Sequence, residues 1–284
     1  MPNLPTFDRV PSAVVLDLDG TVLDSTPALR ARTRTALEGV IATGIPVVIA
    51  TARAVRSVNV YLSEELVRGL RIAHLNGAVV HHGSEQLDPV WHTTLNRDVA
   101  ERVAHVALSM LPGARVVVEL DGREFGSNVV LSPDVLWATN RATPEMVLPL
   151  GDALARRVAK LAIRAESSVA TFIDHVQREF GAHIAVQTDR FDPQFVQIVS
   201  RNCSKETGVR AALAVEATDS PTDWLAIGDD LPDLGMLQCS RFGVAMGNAH
   251  PDLIRAIPYS TLGNDEDGAA VVLEHLLATL GERR

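Results

Sequence analysis

Ala13-Val14-Val15-Leu16-Asp17-Leu18-Asp19-Gly20-Thr21 is the stretch that decides the fold. Ala13 to Leu16 is an unbroken apolar run, the pattern of a strand buried on both faces of a parallel sheet. Two carboxylates follow at i and i+2. Gly20 then lets the chain leave the strand in a conformation that other residues resist. Asp17 and Asp19 therefore fall at a strand's carboxyl end, the edge on which open α/β sheets bind ligands. Two acids confined there repel each other, and a cation beside them relieves the repulsion. A metal site is the first expectation.

Outward from that stretch the chain alternates strands and helices. Ser25-Thr26-Pro27 offers a capping side chain and a first-turn proline, so a helix is expected from there to Gly44. A second buried strand over 45–50 finishes in Thr51-Ala52-Arg53. A helix over 53–68 and a short strand over 71–75 lead to the turn dipeptide Asn76-Gly77. This βαβαβ order with short loops is the α/β, doubly wound class. From about Leu87 the character changes. Residues 115–125 read as a hairpin turning at Asp121-Gly122, 159–163 and 183–187 as strands, and 168–180 as a helix behind a Ser cap.

The expectation is an inserted α+β domain over 87–188, with 1–86 and 189–284 forming the parallel-sheet core. Residues 195–199 fit either the last strand of the insert or the return to the core. Ser204-Lys205-Glu206-Thr207 opens a further helix. Residues 224–228 form a third buried strand, ending in Asp229-Asp230-Leu231-Pro232-Asp233. Residues 242–246 repeat the strand-then-loop pattern, and the acidic run 265–267 suits the start of a final helix.

Composition narrows the function classes. A net charge of −9 disfavours nucleic acid, whose binding relies on Lys and Arg contacts to phosphates. An anionic substrate would need a local positive site or a bound cation. Two cysteines, Cys203 and Cys239, are too few for a disulfide framework and suggest a reducing compartment. No stretch has the length and apolarity of a signal peptide core or a membrane span. A soluble cytoplasmic protein without a membrane partner is expected.

Four sites fall at strand ends or at the start of the next helix: Asp17/Asp19, Thr51, Lys205 and Asp229/Asp233. Singly each is weak, since a D-x-D is often a surface turn and Thr51 alone reads as a helix cap. A lysine in a helix's first turn opposes the helix dipole unless an anion sits there too. Together, in this order, they resemble the haloacid dehalogenase superfamily of phosphohydrolases. Asp17 to Thr21 matches its D-x-D-G-T motif, 49–53 its second, 202–208 around Lys205 its third, and 228–233 its fourth. Asn76-Gly77-Ala78, 245–249 and 264–268 are similar to signatures of the Cof-type subgroup, which carries an α/β cap between the second and third motifs. Pro232 departs from the pattern, standing where the fourth motif has Asn, and removes an amide and a backbone donor.

The resemblance implies a phosphatase acting on a small phosphorylated metabolite, with a sugar phosphate the first choice. Asp17 would be the nucleophile that forms an aspartyl-phosphate. Asp19 would be the acid/base, and Thr51 and Lys205 would hold the phosphoryl oxygens. Mg2+ would be held by Asp17, Asp229 and the Asp19 carbonyl. Asp233 and Asn248 would support the metal and its ligands from behind. A phosphotransferase or phosphomutase on the same scaffold, a non-catalytic phosphometabolite sensor and a D-x-D glycosyltransferase are the competing readings.

Other polar residues carry weaker expectations. Arg53 either faces the substrate mouth or simply begins the helix, the second being favoured, and His81-His82 reads as a linker near the cap hinge whose adjacent rings point to opposite faces. Glu119, Asp121, Arg123, Asn140 and Arg141 are polar enough to read a substrate hydroxyl, although a solvated hairpin accounts for any one of them.

Overall fold

A computed structural model of the chain describes residues 2–83, 89, 91–189, 192–214 and 222–282. The change of character expected at Leu87 lies outside these residues. The described strands build two sheets. The larger contains β1 (Ala13–Asp17), β2 (Val47–Ala50), β3 (Leu70–His74), β4 (Val79–His82) and β5 (Trp91–His92). The smaller contains β6 (Arg115–Glu119), β7 (Phe125–Ser127), β8 (Val147–Pro149), β9 (Lys160–Arg164), β10 (Ile184–Thr188) and β11 (Phe195–Ser200). The chain then returns to the larger sheet through β12 (Thr222–Gly228), β13 (Ser240–Ala245) and β14 (Tyr259–Ser260).

The larger sheet has the order β14-β13-β12-β1-β2-β3-β4-β5. It is parallel from β14 through β3, with β4 and β5 added antiparallel. Every residue of β1 and β2 is buried, which is why both read as continuous apolar runs. The helix Ala31–Ala42 packs against the final helix Gly268–Glu282, while the helix Lys205–Leu213 packs on β2, β3 and β4. Strand order reverses at β1 and β12: β2 and β3 continue from one side of β1, and β12, β13 and β14 lie on the other. The carboxyl ends of β1 and β12 therefore flank a topological switch point.

The smaller sheet has the order β10-β11-β9-β6-β7-β8 and is antiparallel except for β7 with β8. It has its own apolar core, centred on Val116, Val118, Leu161, Ile163, Phe172 and Ile198. A small seam cluster joins the two sheets, with Leu75 and Val79 on one side and Ala159 and Val199 on the other. Of the two readings open for 195–199, pairing with β9 and β10 places the strand in the smaller sheet. That sheet therefore extends past residue 188, the limit expected for the insert.

Local differences have local causes. The first helix begins at Ala31 behind Arg30, not at Ser25 or Thr26. The Asp24 side chain accepts from the Thr26 and Ala28 backbone N–H groups and the Thr26 hydroxyl, holding 24–28 as a turn. The helix expected over 53–68 is two helices, Val55–Tyr61 and Glu64–Arg68. Ser63 breaks the run by accepting from Leu66 N as the cap of the second. Asn76 (φ 63°) and Gly77 (φ 91°) turn β3 into β4 in left-handed backbone.

Candidate active site

Asp17 is the last residue of β1 and Asp229 directly follows β12, so the switch point sets two carboxylates side by side. The short turn Leu231–Asp233 brings Asp233 beneath them. One carboxylate oxygen from each of Asp17, Asp229 and Asp233 lies within 4.8 Å of the others, and all three residues are buried. Gly20 makes the arrangement possible. Its φ of +77° suits glycine, and a Cβ there would stand 2.4 Å from Asp229 Oδ2. Thr21 Oγ1 reaches Asp229 Oδ1 at 3.5 Å.

Lys205 is the cation of this cluster. Ser204 and Thr207 form a capping box that fixes the first turn of its helix. Gly77 and Gly208 let that helix close on the β3–β4 turn, since a Cβ on Gly208 would stand 2.5 Å from Gly77 Cα. Lys205 Nζ then donates to Asp17 Oδ1 at 2.5 Å and to Asp233 Oδ1 at 2.6 Å. The other oxygen of Asp233 accepts from the backbone N–H groups of Asp229 and Asp230, both at 3.0 Å. Pro232 fits because it occupies the first turn of this short helix, where no backbone donor is required of it.

The electrostatics follow from burial. Burial, and next the charge of Asp233, push the Asp17 carboxyl well above the usual range, with Lys205 opposing. The same causes raise Asp229 to about 7. Burial strips water from Lys205, but Asp17 and Asp233 outweigh it and hold the ammonium protonated. Three buried carboxylates share one ammonium, and the excess of negative charge fits a divalent cation. All the side-chain donors are oxygens, which suits a hard ion.

The remaining expected residues take different places. Asp19 stands at the mouth, apart from the carboxylate cluster, and Arg53 grips both its oxygens at 2.7 and 2.6 Å. Arg53 therefore faces the cleft and is more than a helix start. Its guanidinium also lies 4.4 Å from the Tyr61 ring centroid, and Arg141 donates to the Tyr61 hydroxyl at 3.1 Å. Thr51 is fully buried, and its Oγ1 accepts from Arg53 N at 3.1 Å. Asn248 donates to the Gly20 carbonyl at 2.9 Å and lies 3.4 Å from Asp229 Oδ2. His81 turns inward, its Nδ1 2.7 Å from His74 Nε2, with the two rings stacked.

A cleft of about 620 Å3 opens between the two sheets over this cluster. Its upper wall holds residues that motif reading did not single out. Lys160, the first residue of β9, donates to the Ala52 carbonyl at 2.7 Å and to Gln197 Oε1 at 2.9 Å. Burial lowers its pKa to about 8. Arg56 forks onto Glu119 at 2.5 and 2.8 Å and donates to the Asn140 carbonyl at 2.9 Å. Glu119 and Asn140 thus line the cleft, whereas Asp121 accepts from Arg123 N and Glu124 N within its own turn. The available signal was a lysine opening a short strand whose three middle residues are apolar, as in Lys160–Arg164.

Comparison with known proteins agrees with this architecture. A family model described as haloacid dehalogenase-like hydrolase matches residues 14–273. The Bacillus subtilis protein 5-amino-6-(5-phospho-D-ribitylamino)uracil phosphatase YitU is 25% identical over 270 residues, covering 94% of this chain and 98% of that one. Phosphatase YwpJ of the same organism is 26% identical over 300 residues, covering 93% and 99%. A haloacid dehalogenase-like hydrolase from Bacteroides thetaiotaomicron superimposes with a TM-score of 0.76 at 24% identity, covering 94% of this chain and all of that one.

Proposed function

Because this chain belongs to the haloacid dehalogenase-like hydrolases, we propose that it is a Mg2+-dependent phosphatase of small phosphorylated metabolites that works through a phosphorylated Asp17. The observation that carries this reading is the buried cluster of Asp17, Asp229 and Asp233 around one ammonium. Asp17, Asp229 and the Asp19 carbonyl would hold Mg2+, which when bound neutralises the carboxylates and draws charge from the phosphoryl oxygens. Asp17 attacks phosphorus, forming a new P–O bond as the ester P–O bond breaks. Asp19, positioned at the mouth by Arg53, takes up a proton as one of its oxygens leaves the guanidinium, gives that proton to the departing alkoxide and later takes one from the water that hydrolyses the acyl phosphate. Lys205 steadies Asp17 and meets a phosphoryl oxygen, and Thr51 keeps its hydroxyl hydrogen for another. Asp233 orients Lys205, and Asn248 orients Asp229.

The smaller sheet acts as a cap, limiting the site to small esters and excluding water during transfer. Likeness to the relative named for a phosphorylated ribityl compound supports a sugar or polyol phosphate, as do the donors and acceptors on the cleft wall. The free cysteines fit a cytoplasmic setting, the net charge of −9 argues against a nucleic-acid partner, and no described helix is long and apolar enough to cross a membrane.

The test is phosphate release from a panel of sugar phosphates, nucleotides and cofactor phosphates, with Mg2+ or with EDTA. Release is expected with Mg2+ only, and Asp17→Asn is expected to fold and release none. Full turnover in Asp17→Asn, or no release from any ester, would overturn the reading.

A further inference from the structure

The face that the smaller sheet turns to the cleft has two ends of different character. In the β6–β9 register Glu119 lies opposite Lys160, Val117 opposite Ala162, and Arg115 opposite Arg164. All six line the cleft. The first pair is tied to the larger sheet, Glu119 through Arg56 and Lys160 through the Ala52 carbonyl. The middle pair is a small apolar floor. The last pair sets two guanidinium side chains directly opposite each other, about 13 Å along the strand from Lys160 at four residues' rise.

Like charges at directly opposed positions destabilise an antiparallel pair unless something of opposite charge joins them. Arg164 has Asp192 at 3.3 Å. Arg115 has no carboxylate within ion-pair distance among the described residues. Its terminal nitrogens reach the neutral oxygens of Thr139 and Asn140, and its buried Nε has no partner. In a chain of net charge −9, an uncompensated guanidinium facing the ligand cleft is an electrostatic lure for an anion. A guanidinium is also the group whose fork fits a carboxylate or phosphate.

From this geometry we infer that Arg115 and Arg164 form a distal anion subsite, so that the preferred substrate is a phosphomonoester with a second anionic group at its far end. The inference rests on the phosphatase reading for the near end of the molecule. The apolar floor of Val117 and Ala162 takes the uncharged stretch between the two anions. A purely structural Arg115, one that only steadies the end of the helix Pro133–Asn140, would show no preference between substrates.

The experiment compares kcat/KM for three matched esters: the 6-phosphate of glucitol, whose far end is neutral, the 6-phosphate of gluconate, whose far end is a carboxylate, and glucitol 1,6-bisphosphate. The wild type is expected to favour at least one anionic-ended ester over the neutral one by about ten-fold or more, as charge-assisted bonds allow. The preferred ester tells carboxylate from phosphate. Arg115→Gln and Arg164→Gln should each bring that ratio close to one, through KM, and Arg115→Lys should keep part of it. A wild-type ratio near one, or variants that lower all three esters equally, would overturn the subsite and leave the phosphatase reading intact. If neither these three nor any ester of the wider panel releases phosphate, that reading fails instead. Calorimetric binding of the same compounds to wild type and Arg115→Gln then decides the subsite: an anionic preference lost in the variant supports it, and equal or absent binding overturns it.

Discussion

Gly20 and Arg53 show how single side chains set this site. An added Cβ at Gly20 meets the Asp229 carboxylate at 2.4 Å, and φ of +77° strains any other residue. Gly20→Ala is therefore expected to displace Asp229 and raise the Mg2+ concentration needed for half-maximal activity by at least about ten-fold, which a metal titration of initial rates would measure. Arg53 acts through Asp19, whose two oxygens it holds in one orientation. Arg53→Met should lower kcat by roughly ten- to a hundred-fold while KM changes much less, because Asp19, the proposed acid/base, would be misplaced and the substrate contacts remain. A parallel rise of KM in steady-state kinetics would instead place Arg53 on the substrate.

Among the elements, the helix Lys205–Leu213 matters most, since its first residue is the site's cation. Ser204→Ala removes the cap to Thr207 N at a cost of about 1 kcal/mol. In a chain of this size that lowers Tm by about 2–4 °C. Activity should fall with it, measured well below Tm, because the turn that aims Lys205 is loosened. The helix opening at Ser204, the buried runs of β1 and β12 and the acids that end them were legible because each is a local pattern. Other parts were not. Arg53 pairs with Asp19 across 34 positions of chain, and Arg56 with Glu119 across 63, so no local pattern could disclose either. Lys160 and Arg115 each open a short strand. Only strand register and the facing of the two sheets show that they share a cleft. The break at Ser63 and the late start at Ala31 were missed because side-chain capping competes with helix continuation at every Ser, Thr and Asp.

For the whole molecule, the buried carboxylates should make stability depend on pH, and on the proposed metal with it. The folded pKa of Asp229 is about 7 against an ordinary value of 3.8, and Asp17 is raised in the same direction. The folded state therefore binds more protons than the unfolded state between those values, and stability falls as pH rises through that window. In EDTA the protein is expected to melt at a higher temperature near pH 5 than near pH 8. Mg2+ should recover more of the melting temperature at pH 8 than at pH 5, by binding the folded state alone. Thermal melts at the two pH values, with and without the ion, check both statements. A metal-free melting temperature that rises from pH 5 to pH 8 would contradict the burial of this charge.

The chain leaves the smaller sheet at Ser200 and begins the Lys205 helix five residues later. At full extension that link spans about 17 Å, and its last residue is already committed to the helix cap. The arm that carries the upper wall of the cleft is thus leashed directly to the ammonium at its floor. A swing of the wall that exceeded this slack would tug Lys205 off Asp17. Any opening of the cleft larger than this slack would therefore also disturb the ion pair between Lys205 and Asp17.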